Sequence, residues 1–232
     1  EVEYLDKQSH SIDVKFKVLS KSIELLCSTF QVDKVEEAYF VIWTTTPWTI
    51  PSNVAVCIHE EIEYIFVRGD NDHFIIAKDL LDECSDRWGI ELEILGSVLG
   101  KEINEIAMAH PLYKRESKLL HGDHVTTESG TGCVHTAPAH GLDDYFICIK
   151  NGLESVKALD NRGIFKEEYG PLSGLSTKKG DPIVIELLQD NKALLAHQQY
   201  DHSYPHCWRH KSPVIFMSTP QWFISMKKSG LS

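Results

Sequence analysis

The sequence predicts a mostly β domain, a closed or nearly closed barrel with helices at its periphery. Three observations lead there. Residues 3 to 18 alternate, with Ile12, Val14, Phe16 and Val18 on one side, the period-2 pattern of a half-buried strand. Beyond them, short runs of β-branched and aromatic residues recur between turn residues, and only a few stretches carry helical spacing. No internal repeat or low-complexity segment points to another architecture, so many short strands with few helices imply a sheet that closes on itself.

In chain order, a short helix is expected around residues 22 to 30, and the apolar run 38 to 43 reads as a buried strand. It ends at Thr44-Thr-Thr-Pro-Trp-Thr-Ile-Pro51, where Pro47 and Pro51 lack the amide proton a ladder needs. A rigid loop is therefore expected. Residues 54 to 58, 63 to 67 and 73 to 77 read as a meander, its last two strands joined through Arg68-Gly-Asp-Asn-Asp72. A helix over 78 to 88 closes at Gly89. Strands are expected at 91 to 95, 103 to 107, 123 to 127 and 133 to 136. Asp143 and Asp144 open a helix with Tyr145, Phe146 and Ile149 on one side and Asn151-Gly152 as its stop. A turn at 160 to 163, a helix over 182 to 189 with Pro182 in its first turn, and a strand-like run at 214 to 217 complete the reading.

The formal charge of −11 excludes a protein that grips duplex nucleic acid through a broad basic face, while leaving room for a local contact. The 6 cysteines are scattered without CxxC spacing, and no export signal is present, so reduced thiols in a cytoplasmic protein are expected. No apolar run approaches the roughly 18 residues of a membrane span. The opening Glu1 and the absence of a stopping element before Ser232 read as a piece of a longer chain.

Chemistry concentrates in Gly130-Thr-Gly-Cys-Val-His-Thr-Ala-Pro-Ala-His-Gly-Leu-Asp-Asp-Tyr145. Its glycines permit positive φ or close ligand approach. One aspartate in a first helical turn is explained by the helix dipole. Two adjacent ones point about 100° apart, so the second can face a ligand. The triple threonine offers hydroxyls that donate and accept, held by flanking prolines. His121, His124, His135 and His140, and separately His202, His206, Cys207 and His210, invite a metal reading, but neither set has ligand spacing such as HExxH. There is no GxSxG, and Cys133 reads as a packed thiol. Ser225-Met-Lys-Lys-Ser229 has the composition but not the order of a KMSKS loop, and is taken as chance.

Trp43-Thr-Thr-Thr-Pro-Trp-Thr-Ile-Pro-Ser-Asn53, Gly130 to Tyr145, and His202-Ser-Tyr-Pro-His-Cys-Trp-Arg-His-Lys211 through Thr219-Pro-Gln-Trp-Phe223, in that order, resemble bacterial-type isoleucyl-tRNA synthetases over their inserted editing (CP1) domain. The likeness runs the length of the chain. The valine and leucine enzymes carry an arginine in the corresponding threonine loop and lack His-Thr-Ala-Pro, whereas Thr46 and His135 here fit the isoleucine enzyme. The HIGH and KMSKS signatures are absent, so this piece is expected to discharge tRNA rather than charge it.

The resemblance implies an editing barrel over residues 1–200 and a return segment over 201–232 leading towards the aminoacylation domain. It implies that valyl-tRNA(Ile) is hydrolysed, with valyl adenylate in the full enzyme, while isoleucyl-tRNA(Ile) is spared. Asp144 then binds the α-ammonium, Thr44, Thr45 and Thr46 line the pocket with Asn53 near it, and His135 excludes the larger side chain. Cys133 stands where a small residue such as alanine is common, adding volume near His135. Editing needs no cofactor; ATP serves only the aminoacylation domain. Zinc is not expected, because His210 replaces the second cysteine of a pair that binds it in some relatives and the upstream pair is missing. The expected partners are the 3′ end of tRNA(Ile) and the rest of the synthetase, in a monomer.

Overall fold

The computed structural model describes residues 1–225. β1 (Val2–Lys17) is the long alternating strand and runs into α1 (Ser20–Phe30), which ends on Gln31 in the left-handed region. β2 (Tyr39–Thr44) stops at a 3-10 helix, Pro47–Ser52, followed by β3 (Ala55–Ile58), β4 (Glu63–Gly69) and β5 (Asp72–Ala77). α2 (Leu81–Trp88) closes on Gly89 at φ 67, as expected for a glycine stop. β6 (Glu93–Leu99), β7 (Ala107–Ala109), β8 (Glu116–His121) and β9 (Val134–Thr136) precede α3 (Leu142–Lys150). α4 (Thr177–Asp190) and β10 (Leu194–Cys207) follow.

The strands form two mixed sheets, one ordered β10-β1-β2-β5-β4-β6 and the other β7-β8-β3-β9. The expected closed barrel is not found among the described residues: the ladders end at β10 and β6 in the first sheet and at β7 and β9 in the second. A single bridge, Val18 to Met108, is where the end of β1 meets β7. The chain explains why β9 extends no ladder. Gly130 and Gly132 before it take φ of 89 and 74, and Pro138 after it has no amide proton to give.

The expected meander is likewise corrected. β4 and β5 do form an antiparallel hairpin, but β3 belongs to the other sheet, pairing with β8 in parallel and β9 in antiparallel fashion. Residues 123 to 127 form no strand; the one nearby is β8, whose Lys118 and Ser117 conceal its alternation. The run 214 to 217 is also not a strand. β10 instead covers fourteen residues against β1, and residue 200 lies within it. Its middle, 196 to 203, is mostly exposed, so it lacks the apolar pattern by which strands are recognised. α4 starts five residues ahead of the expected 182, leaving Pro182 inside it.

The main core joins Ile12, Val14 and Phe16 of β1 to Phe40, Ile42, Phe66 and Phe74, with Leu26 and Phe30 of α1 laid over them. Each such side chain contributes about 1.5–3 kcal/mol on burial. A second, small cluster of Ala55, Cys57, Leu120, Val125 and Cys148 seats α3 on the β3 sheet. This satellite fixes the position of the acidic helix start.

Candidate functional site

Where β2 ends, the proline-bounded 3-10 helix, β9, the first turn of α3 and β10 converge on a cleft of about 240 Å³. Thr44 is the last residue of β2, and its Oγ1 accepts the Thr46 amide at 3.0 Å. Thr46 precedes Pro47, which disfavours the helical region for it, and it adopts φ −132, ψ 69. Its carbonyl accepts the Thr49 hydroxyl at 2.8 Å. The Trp48 amide, freed by the turn, donates to Asp181 Oδ1 of α4 at 2.9 Å.

A buried hydrogen-bond chain runs behind this turn. Ser117 Oγ donates to Asn53 Oδ1 at 2.8 Å, so the Asn53 amide nitrogen must be the donor to His135 Nδ1, also at 2.8 Å. His135 Nδ1 is thereby an acceptor, and Nε2–H donates to Thr49 Oγ1 at 3.0 Å. The tautomer is set by the network. Burial drives the His135 pKa down from 6.5 to about 3, helped by His140 and Arg115, so the ring is neutral. Arg115 also donates to the carbonyls of Pro51 and Asn53, tying the turn to β8.

Asp144 is the third residue of α3, and its Oδ2 accepts the Ala137 amide at 2.8 Å. Gly141 makes room for it: a Cβ there would lie 2.8 Å from the carboxylate carbon. Burial pushes the Asp144 pKa above the ordinary value of 3.8, against the Ala137 amide and His124, which pull it down. A cation entering the cleft would therefore find a carboxylate short of compensating charge. His140, bonded to Ser52 Oγ and to the Phe216 carbonyl at 3.0 Å each, also lines the cleft and stands edge-on to Trp48.

Of the residues singled out from sequence, Thr44, Thr46, His135 and Asp144 share this cleft. Thr45 is not in its lining, and Asn53, fully buried, sits behind His135 rather than in the cleft. Cys133 is a packed thiol, as expected, with Sγ towards the Ile75 carbonyl in the main core. Among the described residues, no three His, Cys, Asp or Glu side chains gather as metal ligands. Residues 226 to 229 of the KMSKS-like stretch lie outside the described residues.

No protein-family model matches the chain. Over all of it, the chain is 46% identical to the isoleucine–tRNA ligase of Legionella pneumophila (strain Paris) and, over 237 aligned residues, 46% identical to that of Colwellia psychrerythraea, covering 25% of each. Its homologues are isoleucyl-tRNA synthetases. The chain spans about a quarter of the length of these curated relatives. Among solved structures, this chain shares its fold with GlLeuRS-CP1 (TM-score 0.66, 16% identity, 81% of this chain and 98% of that one). It also matches the P. knowlesi cytosolic leucyl-tRNA synthetase editing domain (0.62, 13%, 85% and 98%). The fold is thus that of synthetase editing domains.

Sequence reasoning missed Trp48, Thr49, Tyr204, Pro205 and Phe216 in the wall of this cleft, and took His140 only as a possible metal ligand. The last three reach it from β10 and beyond, more than fifty residues away in sequence from Asp144, which no local pattern could reveal. Thr49 was legible: it lies one short turn after Thr46 in a proline-bounded stretch, where a hydroxyl naturally bonds back to a carbonyl.

Proposed function

We propose that the chain is the editing domain of an isoleucyl-tRNA synthetase, hydrolysing the ester of valyl-tRNA(Ile) and sparing isoleucyl-tRNA(Ile). The observation that carries this is one small cleft holding a charge-starved carboxylate, a neutral fixed imidazole and two threonines. Valine differs from isoleucine by one methylene, worth only about 1–3 kcal/mol in a hydrophobic pocket; this amino-acid pair is the standard illustration of that limit and of double-sieve editing. A second site must therefore admit the smaller residue and exclude the larger.

In this reading the Asp144 carboxylate binds the α-ammonium, a charge-assisted contact that also selects for a free amine. His135 cannot swing, since both ring nitrogens are bonded, so it forms a wall against a longer side chain. Thr44 and Thr46 orient water and ester, with Thr45 supporting them from outside the lining. Water attacks the ester carbonyl, the bond to the ribose oxygen breaks, and the proton passes to that oxygen, releasing valine. Positioning and electrostatic stabilisation suffice for an activated ester, so we assign no metal or other cofactor to the step. Asn53 becomes a positioning residue for His135. Valyl adenylate is a second substrate in the full enzyme, and ATP belongs to its aminoacylation domain. The domain works as part of a monomeric cytoplasmic synthetase.

Replacing Asp144→Ala should abolish valyl-tRNA(Ile) deacylation while the far-UV circular dichroism stays that of the parent. Normal turnover by that variant would remove the carboxylate from the reaction.

A further inference from the structure

Residues 213–218 follow β10 as a strap rather than a strand, and they are fastened along their length. The Val214 amide donates to the Pro205 carbonyl, and the Val214 carbonyl accepts the Tyr204 hydroxyl, both at 3.1 Å. Gly163 leaves space for Ile215, since a Cβ there would lie 3.0 Å from Ile215 Cδ1. Met217 packs on the main core, and the Ser218 amide donates to the Ala139 carbonyl at 2.8 Å. Between these points the Phe216 carbonyl takes its hydrogen bond from His140 Nδ1 at 3.0 Å. A carbonyl can only accept, so Nδ1 carries the proton and Nε2 accepts from the Ser52 hydroxyl, also at 3.0 Å. Burial lowers the His140 pKa from 6.5, with the Phe216 carbonyl acting the other way.

The strap separates three clefts. Pro213, Val214 and Ile215 border one of about 550 Å³ that shares Trp48 and Tyr204 with the small cleft. Phe216 borders the small cleft itself and, with Met217, Ser218 and Thr219, another of about 410 Å³. Lifted away, the strap would leave the 240 Å³ cleft open to both of these larger neighbours. A small site excludes a side chain one methylene longer only while its walls are complete. Core packing does not explain why the chain is pinned at Phe216, because the ring belongs to neither apolar cluster and is 60% exposed. Its main chain is fixed and its face is free.

We infer that Phe216 is a substrate-contacting wall of the small cleft and that His140 is the positioning residue that holds it there. The inference rests on the small cleft taking the aminoacyl ester, and adds that the segment after β10 closes it. An apolar ring meets the valyl group equally in the ground state and the transition state, so its contribution is uniform binding, read in KM rather than kcat.

The test measures valyl-tRNA(Ile) deacylation by the full-length synthetase carrying this segment, as wild type, Phe216→Ala, His140→Leu, His140→Asn, and Phe216→Ala combined with His140→Leu. The asparagine amide can donate where Nδ1 does but brings no ring to the lining, so its behaviour separates the bond to Phe216 from contact between imidazole and substrate. The expected result is a KM raised about tenfold in Phe216→Ala and in His140→Leu with kcat held within about twofold, no further rise in the double variant, and recovery in His140→Asn. An unchanged KM in Phe216→Ala overturns the wall. Additive losses in the double variant, or a His140→Asn as impaired as His140→Leu, overturn the positioning role. Calorimetric titration of this chain with adenosine carrying valine through an amide, which is not cleaved, separates the inference from the editing reading. If the wild type binds this probe, Phe216→Ala and His140→Leu bind it about tenfold more weakly, and no ester is hydrolysed, the wall stands and the editing reading falls. If wild type and variants bind and hydrolyse alike, the editing reading stands and the wall falls.

Discussion

His135 is held by two neighbours that leave it a single protonation state. Asn53 donates to Nδ1 and Thr49 accepts from Nε2, and burial lowers the pKa from 6.5 to about 3. Because the folded pKa is depressed, the unfolded chain binds this proton at a higher pH than the folded one does. The associated stability is complete above pH 6.5 and is lost as the pH falls towards 3. The expected outcome is a melting temperature that declines below pH 6.5 less steeply in His135→Gln than in the parent, with no inflection near 6.5 in the parent's deacylation profile from this ring. Equal declines in the two proteins would show that His135 is not a buried neutral group. Asp144 shows how much of the site was legible in the sequence. Helix geometry alone said that the two aspartates point different ways. The preference for Asp144 came from the family resemblance; in the structure Cys148, four residues on and buried in the satellite core, marks the inward face that Asp144 shares and leaves Asp143 exposed.

At the scale of elements, α3 is the instructive error. Tyr145, Phe146 and Ile149 read as the face that packs, yet Phe146 is 61% exposed and the helix rests on Cys148 and Ile147 instead. Apolar count misleads in a nine-residue helix, where a few residues on the small inward side anchor the whole. The loop before β9 depends on a partner equally invisible in sequence. Arg87 of α2 bonds Asp13 of β1 through Nε and Nη2 and donates to the Gly130 carbonyl at 2.8 Å, with both charged side chains more than nine-tenths buried. Removing one partner strands the other charge in a low-dielectric interior. Arg87→Met is expected to destabilise the fold by about 3–5 kcal/mol in urea denaturation. A change within a few tenths of a kcal/mol would mean that Asp13 is solvated or neutral. By contrast β1, β2, the β4–β5 hairpin and the Gly89 stop were readable, because alternation, β-branched runs and a positive-φ glycine each have a local cause.

Across the whole molecule, most of the strands and helices expected from sequence are present, but among the described residues the sheets do not close into a ring, since closure depends on pairings between segments distant in the chain. What the open arrangement achieves is convergence. The ends of β2 and β9 and the start of α3 meet where β10 folds back, so residues from four parts of the chain wall one cleft. The formal charge of −11 excludes a broad basic face for duplex nucleic acid. His135 and His140 serve as hydrogen-bonded wall groups, and His110, bonded to the Ile50 carbonyl, as a buried one. Deacylation should accordingly survive EDTA at full rate; loss on chelation with recovery on adding zinc would return the histidines to a catalytic metal role. The central claim is discrimination by this cleft, and it is tested most directly by measuring the deacylation of valyl-tRNA(Ile) and isoleucyl-tRNA(Ile) side by side, for the parent and for His135→Ala. The account predicts hydrolysis of the valyl ester alone by the parent, and gain of the isoleucyl ester by the variant. Equal hydrolysis of both esters by the parent, or of neither, would contradict it.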